Sequence, residues 1–264
     1  MSSSTPAKPA ALRDTVERLV RSRVTALKPV SGGRNSRVFR ARLADGRSIA
    51  LKAYFRHRGD PRDRLGVEFG ALRLMSRHGF HDVPRPLAAG RRAGVALYEF
   101  IEGEKPGQIR PKDIDALADF LGQLRGLAPL RESAKIGPAS EACFTVAEMV
   151  QVLRRRRARL DAAEGCAKNI AALRRFLAEQ FDPALEHFAR WSRGHLPRGA
   201  FDRELPVRER TLSPSDFGFH NALRRRDGGI VWLDFEYFGW DDPAKMIVDF
   251  LLHPARPVSA ALKR

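Results

Sequence analysis

Alternation of apolar and polar positions predicts that the first hundred residues are rich in β-strands. Residues 38–43 alternate, Asp45-Gly46 provides a tight turn, and residues 48–52 alternate again, which is the pattern of a β-hairpin. Residues 95–101 form an almost unbroken apolar run, as expected for a buried strand. Helical spacing instead predicts helices over residues 14–28 and 60–78. We expect these elements to form a five-stranded antiparallel sheet with one main helix packed against it.

After residue 101 the pattern changes from strands to helices. Residues 103–111 are rich in glycine and proline and predict a linker. Three helices are then predicted, and Pro183 lies within the third as in the first turn of a new helix. A short second hairpin follows, joined through Asp227-Gly228-Gly229. The predicted helices cover residues 113–127, 145–163 and 170–193, and the hairpin strands cover residues 222–224 and 230–233.

This order of elements predicts an α+β protein with two lobes and a cleft between them. The first lobe covers residues 1–101, of which residues 1–12 are expected to be loose. The second lobe covers residues 102–264 and is mainly helical, with the late hairpin inside it.

The composition excludes several classes of protein. Only two cysteines occur, Cys143 and Cys166, which excludes a disulfide framework and a four-cysteine zinc site. An apolar content of 43% with 30% charged residues is typical of a globular protein. The N-terminus lacks the apolar core of a signal peptide, and no run of about 18 apolar residues is present. We therefore expect a cytoplasmic protein without a membrane span.

The net charge of +17 is unusual for such a composition. It fits an anionic partner, either a nucleic acid or an acidic small molecule. The basic residues are scattered, however, apart from arginines at positions 154–157 and 159 on a predicted helix. A solvated helix face explains this cluster more simply. Because no recognised nucleic-acid motif is present, a nucleic-acid partner is the less favoured alternative.

Two features of the strand-rich part are typical of phosphate binding. Glycines allow backbone N–H groups to approach phosphate oxygens, and the segment before the first hairpin contains Gly32, Gly33, Asn35 and Ser36. Lys52 lies on a predicted strand, and Glu68 follows on a predicted helix, as in the lysine–glutamate pair of kinases. Taken alone, each feature is also expected from an ordinary turn or from solvated surface charges.

A loop followed by the second hairpin carries the strongest signal. Asp216 and Asn221 are five positions apart, and Asp234 stands at the far end of the hairpin. In kinases an aspartate in this position accepts the hydroxyl proton of the acceptor, and an asparagine five positions later binds a metal ion. A second aspartate binds the metal that bridges the phosphates, and such oxygen ligands suit Mg²⁺. The alternative is that the three residues only cap turns, but the correct chain order of all these features disfavours it.

Over residues 30–254 the sequence resembles the aminoglycoside phosphotransferase family, a branch of the protein-kinase-like fold that includes choline kinases. Most of the motifs just described match the pattern of that family. The matching segments are residues 32–36, Ala50-Leu51-Lys52, residues 98–103, Ser215-Asp216-Phe217-Gly218-Phe219-His220-Asn221, Leu233-Asp234-Phe235-Glu236, Asp242-Pro243 and Asp249.

The resemblance implies a bilobal protein-kinase-like fold and an enzyme that transfers the γ-phosphoryl group of ATP to a small-molecule hydroxyl. The acceptor class would be a sugar, a glycan precursor or an amino alcohol. By the same resemblance, Asp216 is the catalytic base and Asn221 and Asp234 hold Mg²⁺. Lys52, positioned by Glu68, would contact the α- and β-phosphates. The remaining implied roles are phosphate contacts from the loop with Gly32, Gly33, Asn35 and Ser36, backbone contacts to adenine at Glu99 and Ile101, and bracing of the catalytic loop by Asp249.

Three features depart from the family pattern. Pro214 stands where the family usually has a histidine that braces the catalytic loop, and Arg125 stands where it often has a histidine. The sequence ends at Arg264, whereas relatives commonly continue into helices beside the substrate cleft, so we expect a shortened acceptor wall. A nucleotide-binding protein that acts as a scaffold without catalysis is therefore the main alternative to an active kinase.

The net charge also bears on the acceptor. A positive field disfavours polycationic aminoglycosides and favours anionic hydroxyl compounds such as sugar acids, phosphorylated sugars or lipid-linked glycans. Tyr237, Phe238 and Trp240 follow the second aspartate. They offer either an aromatic wall for a sugar or amine, or ordinary core packing.

Overall fold

A five-stranded antiparallel sheet dominates the first part of the chain. The structure is a computed structural model that describes residues 9–32, 35–55 and 60–263. The strand order in the sheet is β1-β2-β3-β5-β4, which confirms the predicted five-stranded sheet. The strands are β1 (Val24–Gly32), β2 (Ser36–Leu43), β3 (Ser48–Tyr54), β4 (Pro86–Gly90) and β5 (Val95–Glu99).

The two faces of this sheet bury different groups because successive side chains of a strand point to opposite sides. On one face, Leu51 lies opposite Leu97 and packs with helix α1 (Pro9–Val20). On the other face, Tyr98 packs with the apolar side of helix α2 (Arg64–Arg77). Lys52 directly follows Leu51 on β3, so its side chain points to the opposite face, towards α2 rather than α1.

The predicted helix over residues 14–28 is wrong at both ends: the helix begins at Pro9, within residues that were expected to be loose, and its predicted second half is not helical. Helix α1 ends at Val20, Arg21 adopts a positive φ of 52°, and β1 begins at Val24. The apolar spacing from Val16 to Val24 fits a helix, but a reversal of the chain brings both residues into the same apolar cluster. Pairing of β1 with β2 therefore overrides the local helical period.

The second part of the chain is mainly helical, as predicted. A π-helical segment, Leu177–Phe181, joins two helices, and Pro183 lies in the first turn of the second one. Two pairs of short antiparallel strands accompany the helices. Among the described residues, no helix is both long and apolar enough to cross a membrane. The helices are α3 (Pro111–Leu127), α4 (Val146–Leu160), α5 (Ala167–Phe176), α6 (Asp182–His195) and α7 (Pro243–Leu251), and the strand pairs are β6 (Thr211–Ser213) with β9 (Gly239–Asp241) and β7 (Ala222–Arg224) with β8 (Ile230–Trp232).

An aromatic core anchors the segment between β6 and β7, which carries the predicted catalytic residues. We use this name for Phe120, Phe217, Phe219, Trp232, Phe235 and Phe250, all of them buried. The ring centroids of Phe217 and Trp232 are 5.0 Å apart, and those of Phe219 and Phe250 are 5.1 Å apart. Aromatic pairs at such distances stabilise a fold beyond the area that they bury. The segment between β6 and β7 is therefore held in place by its own side chains, Phe217 and Phe219, which pack in the aromatic core.

Candidate active site

Lys52 lies at the centre of a buried ionic cluster. Its Nζ is 2.7 Å from Oε2 of Glu68, 2.7 Å from Oδ1 of Asp234 and 3.6 Å from Oε2 of Glu236. Burial by itself would lower the pKa of Lys52, but the charges of the three carboxylates raise it overall. The side chain is therefore a fixed cation, held at the junction between the sheet and the segment after β8.

Both carboxylate oxygens of Glu68 are occupied by protein donors. Oε2 accepts hydrogen bonds from Lys52 and from the hydroxyl of Tyr54, at 2.7 Å each, and Oε1 accepts the backbone N–H of Phe235 at 3.4 Å. Burial raises the pKa of Glu68, and the charge of Lys52 opposes that effect. Since no oxygen of Glu68 is left over, this residue holds Lys52 in place rather than contacting a ligand.

Asn221 and Asp234 lie side by side at the two ends of the β7–β8 hairpin. The N–H of Leu233 donates to the backbone oxygen of Asn221 at 2.8 Å. The Nδ2 atom of Asn221 donates to the backbone oxygen of Asp216 at 3.0 Å, so its carboxamide oxygen is turned away from that carbonyl. The hairpin therefore brings two oxygen-bearing side chains to one edge.

Backbone strain occurs at Asp234 and at the residue directly before Asp216. Asp234 adopts a φ of 67°, and Ser215, directly before Asp216, adopts a φ of 70°. A non-glycine residue in this region costs about 1–3 kcal/mol and persists only where the surrounding structure determines it. Such strain is commonly found at functional sites.

Glu236 also belongs to the cluster, although no role for it was predicted from the sequence. It is buried, and its Oε1 accepts the Nδ2 of Asn35 at 2.8 Å. Its Oε2 has no hydrogen-bond partner among the described residues, and Nε of Arg64 lies 3.6 Å from Oε1. Burial and the charge of Asp234 raise the pKa of Glu236. The signal that could have found it is its position in the sequence, a carboxylate two residues after Asp234.

The donor set of this cluster fits a divalent cation. Three carboxylates, from Glu68, Asp234 and Glu236, surround a single ammonium group, and one oxygen of each lies within 4.8 Å of the others. Because both oxygens of Glu68 already accept protein donors, Asp234 and Glu236 are the members of this cluster with oxygens to offer a cation. One oxygen of Glu236 is buried without a hydrogen-bond partner in the described part of the chain. A hard cation with oxygen ligands, such as Mg²⁺, would balance this negative charge.

Asp216 lies outside this cluster, against the imidazoles of two histidines. Its Oδ1 is 3.2 Å from Nε2 of His220 and 3.3 Å from Nε2 of His253. The hydrogen bond from His220 lowers the pKa of Asp216, and burial opposes this effect. The carboxylate is partly exposed, so it is both ionised and accessible.

The structure brings only part of the predicted phosphate loop to this site. Gly32 ends β1 and Ser36 begins β2, while Gly33 lies outside the described residues. The Nδ2 of Asn35 also donates to the hydroxyl of Tyr237 at 2.6 Å. The loop therefore contacts the segment that follows Asp234.

The remaining predicted positions differ in where they lie. Glu99 ends β5, and Ile101 follows it as a buried residue. Asp249 accepts a hydrogen bond from Lys245 at 2.5 Å, which ties it to its own helix rather than to the catalytic loop. Phe238 is buried, whereas Trp240 is partly buried against the same core and donates from Nε1 to a backbone oxygen at 3.1 Å.

Comparisons with known proteins identify the family and the fold of this chain. A family model described as the phosphotransferase enzyme family matches residues 26–259. A spectinomycin phosphotransferase solved with ADP and spectinomycin has a similar structure, with a TM-score of 0.67 and 13% identity, over 92% of this chain and 74% of that chain. A macrolide 2′-phosphotransferase from Brachybacterium faecium gives a TM-score of 0.62 and 20% identity, over 96% of this chain and 79% of that chain.

A third similar structure is an amicoumacin kinase in complex with AMP-PNP and Ca²⁺, with a TM-score of 0.58 and 15% identity, over 96% of this chain and 72% of that chain. At these identities the likeness concerns the fold, and it confirms the bilobal kinase-like architecture. The predicted cofactors, ATP and a divalent cation, agree with the nucleotides and Ca²⁺ in those structures. No curated protein matches the sequence. Because the family model spans most of the sequence, the chain belongs to the phosphotransferase enzyme family and is a small-molecule kinase.

Proposed function

We propose that this enzyme transfers the γ-phosphoryl group of ATP to a hydroxyl group of an anionic small molecule, such as a sugar acid or a phosphorylated sugar. The observation that carries the phosphoryl-transfer part of the proposal is the contact of Lys52 with both Glu68 and Asp234, at 2.7 Å each. Phosphoryl transfer requires a cation that binds the phosphates next to a carboxylate that binds the metal, and Lys52 and Asp234 are proposed to fill these two roles. We further propose that residues 1–101 form the nucleotide-binding lobe and residues 102–264 the catalytic lobe.

On the nucleotide side, Lys52 contacts the α- and β-phosphates, and Glu68 keeps its ammonium group in place. Asp234 and Asn221 hold Mg²⁺, which when bound neutralises the charge that develops on the phosphates. The other proposed nucleotide contacts are those of the loop with Gly32, Gly33, Asn35 and Ser36, and of the backbone at Glu99 and Ile101.

On the acceptor side, Asp216 orients the attacking hydroxyl and accepts its proton. Its lowered pKa keeps it ionised at neutral pH, so it is ready to accept a hydrogen bond from the hydroxyl. The proton moves late because the transition state of phosphoryl transfer is loose. Orientation of the hydroxyl by Asp216 therefore matters at least as much as its basicity.

The charges around Asp216 support an anionic acceptor. The groups beside it are the imidazoles of His220 and His253, and Lys105 donates to the backbone oxygen of His220. The clustered carboxylates of the described residues lie instead around Lys52, on the nucleotide side. A polycationic acceptor would need such carboxylates near Asp216, whereas the net charge of +17 attracts an anion.

A series of three sugars that differ mainly in charge tests this proposal. Glucuronate, glucose and glucosamine share one ring and carry a negative, a neutral and a positive group, respectively. With MgATP present, we expect kcat/KM for ADP release to be highest with glucuronate and lowest with glucosamine. The reverse order would contradict the anionic acceptor, and absence of MgATP binding in calorimetry would contradict the kinase function itself.

A further inference from the structure

Two histidines from different parts of the chain converge on one oxygen of Asp216. The Nε2 atoms of His220 and His253 lie 3.2 and 3.3 Å from Oδ1. Their rings are stacked, with centroids 3.9 Å apart and an interplanar angle of 13°. His220 belongs to the catalytic loop itself, whereas His253 follows helix α7. His253 therefore ties the loop to an element that is distant in sequence.

The surroundings of His253 fix which of its nitrogens carries the proton. The backbone N–H of Ala255 donates to Nδ1 of His253 at 3.3 Å. A neutral imidazole has one donor and one acceptor nitrogen, so Nε2 carries the hydrogen and donates to Oδ1 of Asp216. Coordination of a metal ion by Nε2 would need a lone pair there, so this tautomer favours a hydrogen-bonded anchor over a metal site.

We propose that His253 is a positioning residue for phosphoryl transfer, which holds Oδ1 of Asp216 and thereby presents Oδ2 to the acceptor hydroxyl. This inference rests on the proposed function of Asp216 as the base. A carboxylate that receives its donors on one oxygen cannot rotate freely about its last side-chain bond. The free oxygen is then held in one direction, which is the condition for a well-oriented attack.

Removal of His253 has two opposite effects on the rate, one through the basicity of Asp216 and one through its orientation. A hydrogen bond to the ionised carboxylate weakens its affinity for a proton, so loss of His253 makes Asp216 more basic. The same loss leaves His220 as the remaining imidazole on Oδ1, so the carboxylate is held less firmly against rotation. Since proton transfer is late in a loose transition state, the loss of orientation dominates and the rate falls.

The experiment measures single-turnover ADP release from MgATP, with water or a hydroxyl acceptor as the nucleophile. We expect H253A to lower the rate about 10–100-fold, with ATP binding in calorimetry unchanged. H253Q, which retains a side-chain N–H donor, should recover a substantial part of the rate. The matched control is L252A, which alters the exposed neighbouring residue and should leave the rate within about twofold.

A double-mutant cycle with D216N separates positioning from a general structural role. If His253 acts through Asp216, H253A should have little further effect in the D216N background. An equal loss in both backgrounds would show that His253 supports only the fold, and would overturn the inference. An unchanged or faster H253A enzyme, with D216N still impaired, would also overturn it. Full activity of D216N would instead contradict the proposed base.

Discussion

Nζ of Lys52 and Oδ1 of Asp234 lie 2.7 Å apart, although 182 positions separate the two residues in the chain. The contact joins strand β3 of the sheet to the segment that follows β8. Burial of the lysine strengthens the interaction because little water screens it. The sheet and the helical part of the molecule therefore meet at an ion pair that is also the proposed phosphate- and metal-binding point.

Replacement of Asp234 should abolish turnover and leave the protein folded. We expect D234A to abolish Mg²⁺-dependent ADP release, because a carboxylate proposed to hold the metal is lost. Lys52 keeps its contact with Glu68, so the protein should stay folded. Steady-state turnover and thermal melting measure the two effects. D115A, which changes an exposed carboxylate on α3, is the control, and turnover of D234A equal to that of D115A would contradict the metal assignment.

Asp216 should affect catalysis and leave nucleotide binding unchanged. D216N keeps the size of the side chain and can still orient a hydroxyl, but it cannot take the proton. We expect kcat to fall about 10²–10⁴-fold, the range for a positioned acid–base group. ATP binding should change little because Lys52, Asn221 and Asp234 remain. Loss of ATP binding in calorimetry would instead make Asp216 a nucleotide or structural residue.

Asp113 should make the free energy of unfolding depend measurably on pH in the acid range. Its carboxylate accepts the backbone N–H of Arg110 at 2.8 Å and Nη2 of Arg224 at 2.6 Å, which links α3 to the β7–β8 hairpin. Burial alone would raise the pKa of Asp113, but hydrogen bonds from Arg110 and the charge of Arg224 lower it overall. The stabilisation is therefore present above the unfolded pKa and is lost as pH falls through the folded pKa.

We expect D113N to lower the free energy of unfolding by about 1–3 kcal/mol at pH 7, since a buried partner of two arginines is neutralised. The difference from the unchanged protein should begin to shrink below about pH 4, where Asp113 becomes protonated in the unfolded chain, and should vanish as pH falls through its lower folded pKa. Urea unfolding at pH 7, 5 and 3.5 measures both values. D115N, at an exposed position on the same helix, should show no such trend. A deficit of D113N that is equal at every pH would contradict the ionic explanation.

Gly239 should resist replacement even by alanine. A Cβ atom there would lie 2.4 Å from the backbone nitrogen of Ala139 and 2.5 Å from the backbone oxygen of Gly137. Relief requires movement of β9, which would disturb the hydrogen bond from Trp240 to Gly137 at 3.0 Å. We expect G239A to lower the free energy of unfolding by about 1–3 kcal/mol or more.

The matched variant for that experiment is G70A in the middle of α2, where a Cβ atom meets nothing within 4 Å. Alanine should stabilise this helix by about 0.5–1 kcal/mol relative to glycine. Chemical denaturation of both variants measures the two opposite effects. A neutral G239A would mean that the segment around residue 138 shifts more readily than its hydrogen bonds suggest.

The sequence predicted the parts of the site that depend on short spacing. The separation of Asp216 from Asn221 is spanned by one loop, and the hairpin after Asn221 leads directly to Asp234. Lys52 and Glu68 were predicted as a pair, and the structure places them in direct contact. In these cases local turn chemistry and strand alternation determine where the side chains lie.

Other features could not be predicted because they depend on contacts between distant segments. His253 has no local pattern that relates it to Asp216, since the packing of α7 brings it there. Glu236 becomes a member of the ionic cluster through Asn35 and Arg64, which lie directly before β2 and on α2, respectively. The boundary between α1 and β1 was missed for a related reason, because the pairing of β1 with β2 decides where the helix ends.

Phe217 and Phe219 are buried in the aromatic core, while Asp216 and His220 beside them face the proposed site. Residues 216–220 therefore contribute both to the packing of the interior and to the proposed catalytic site. Any substitution that repacks this interior also displaces the base, so stability and turnover cannot be altered independently here. A change of acceptor during evolution or engineering would have to come from residues outside this segment, where side chains can vary without moving Asp216.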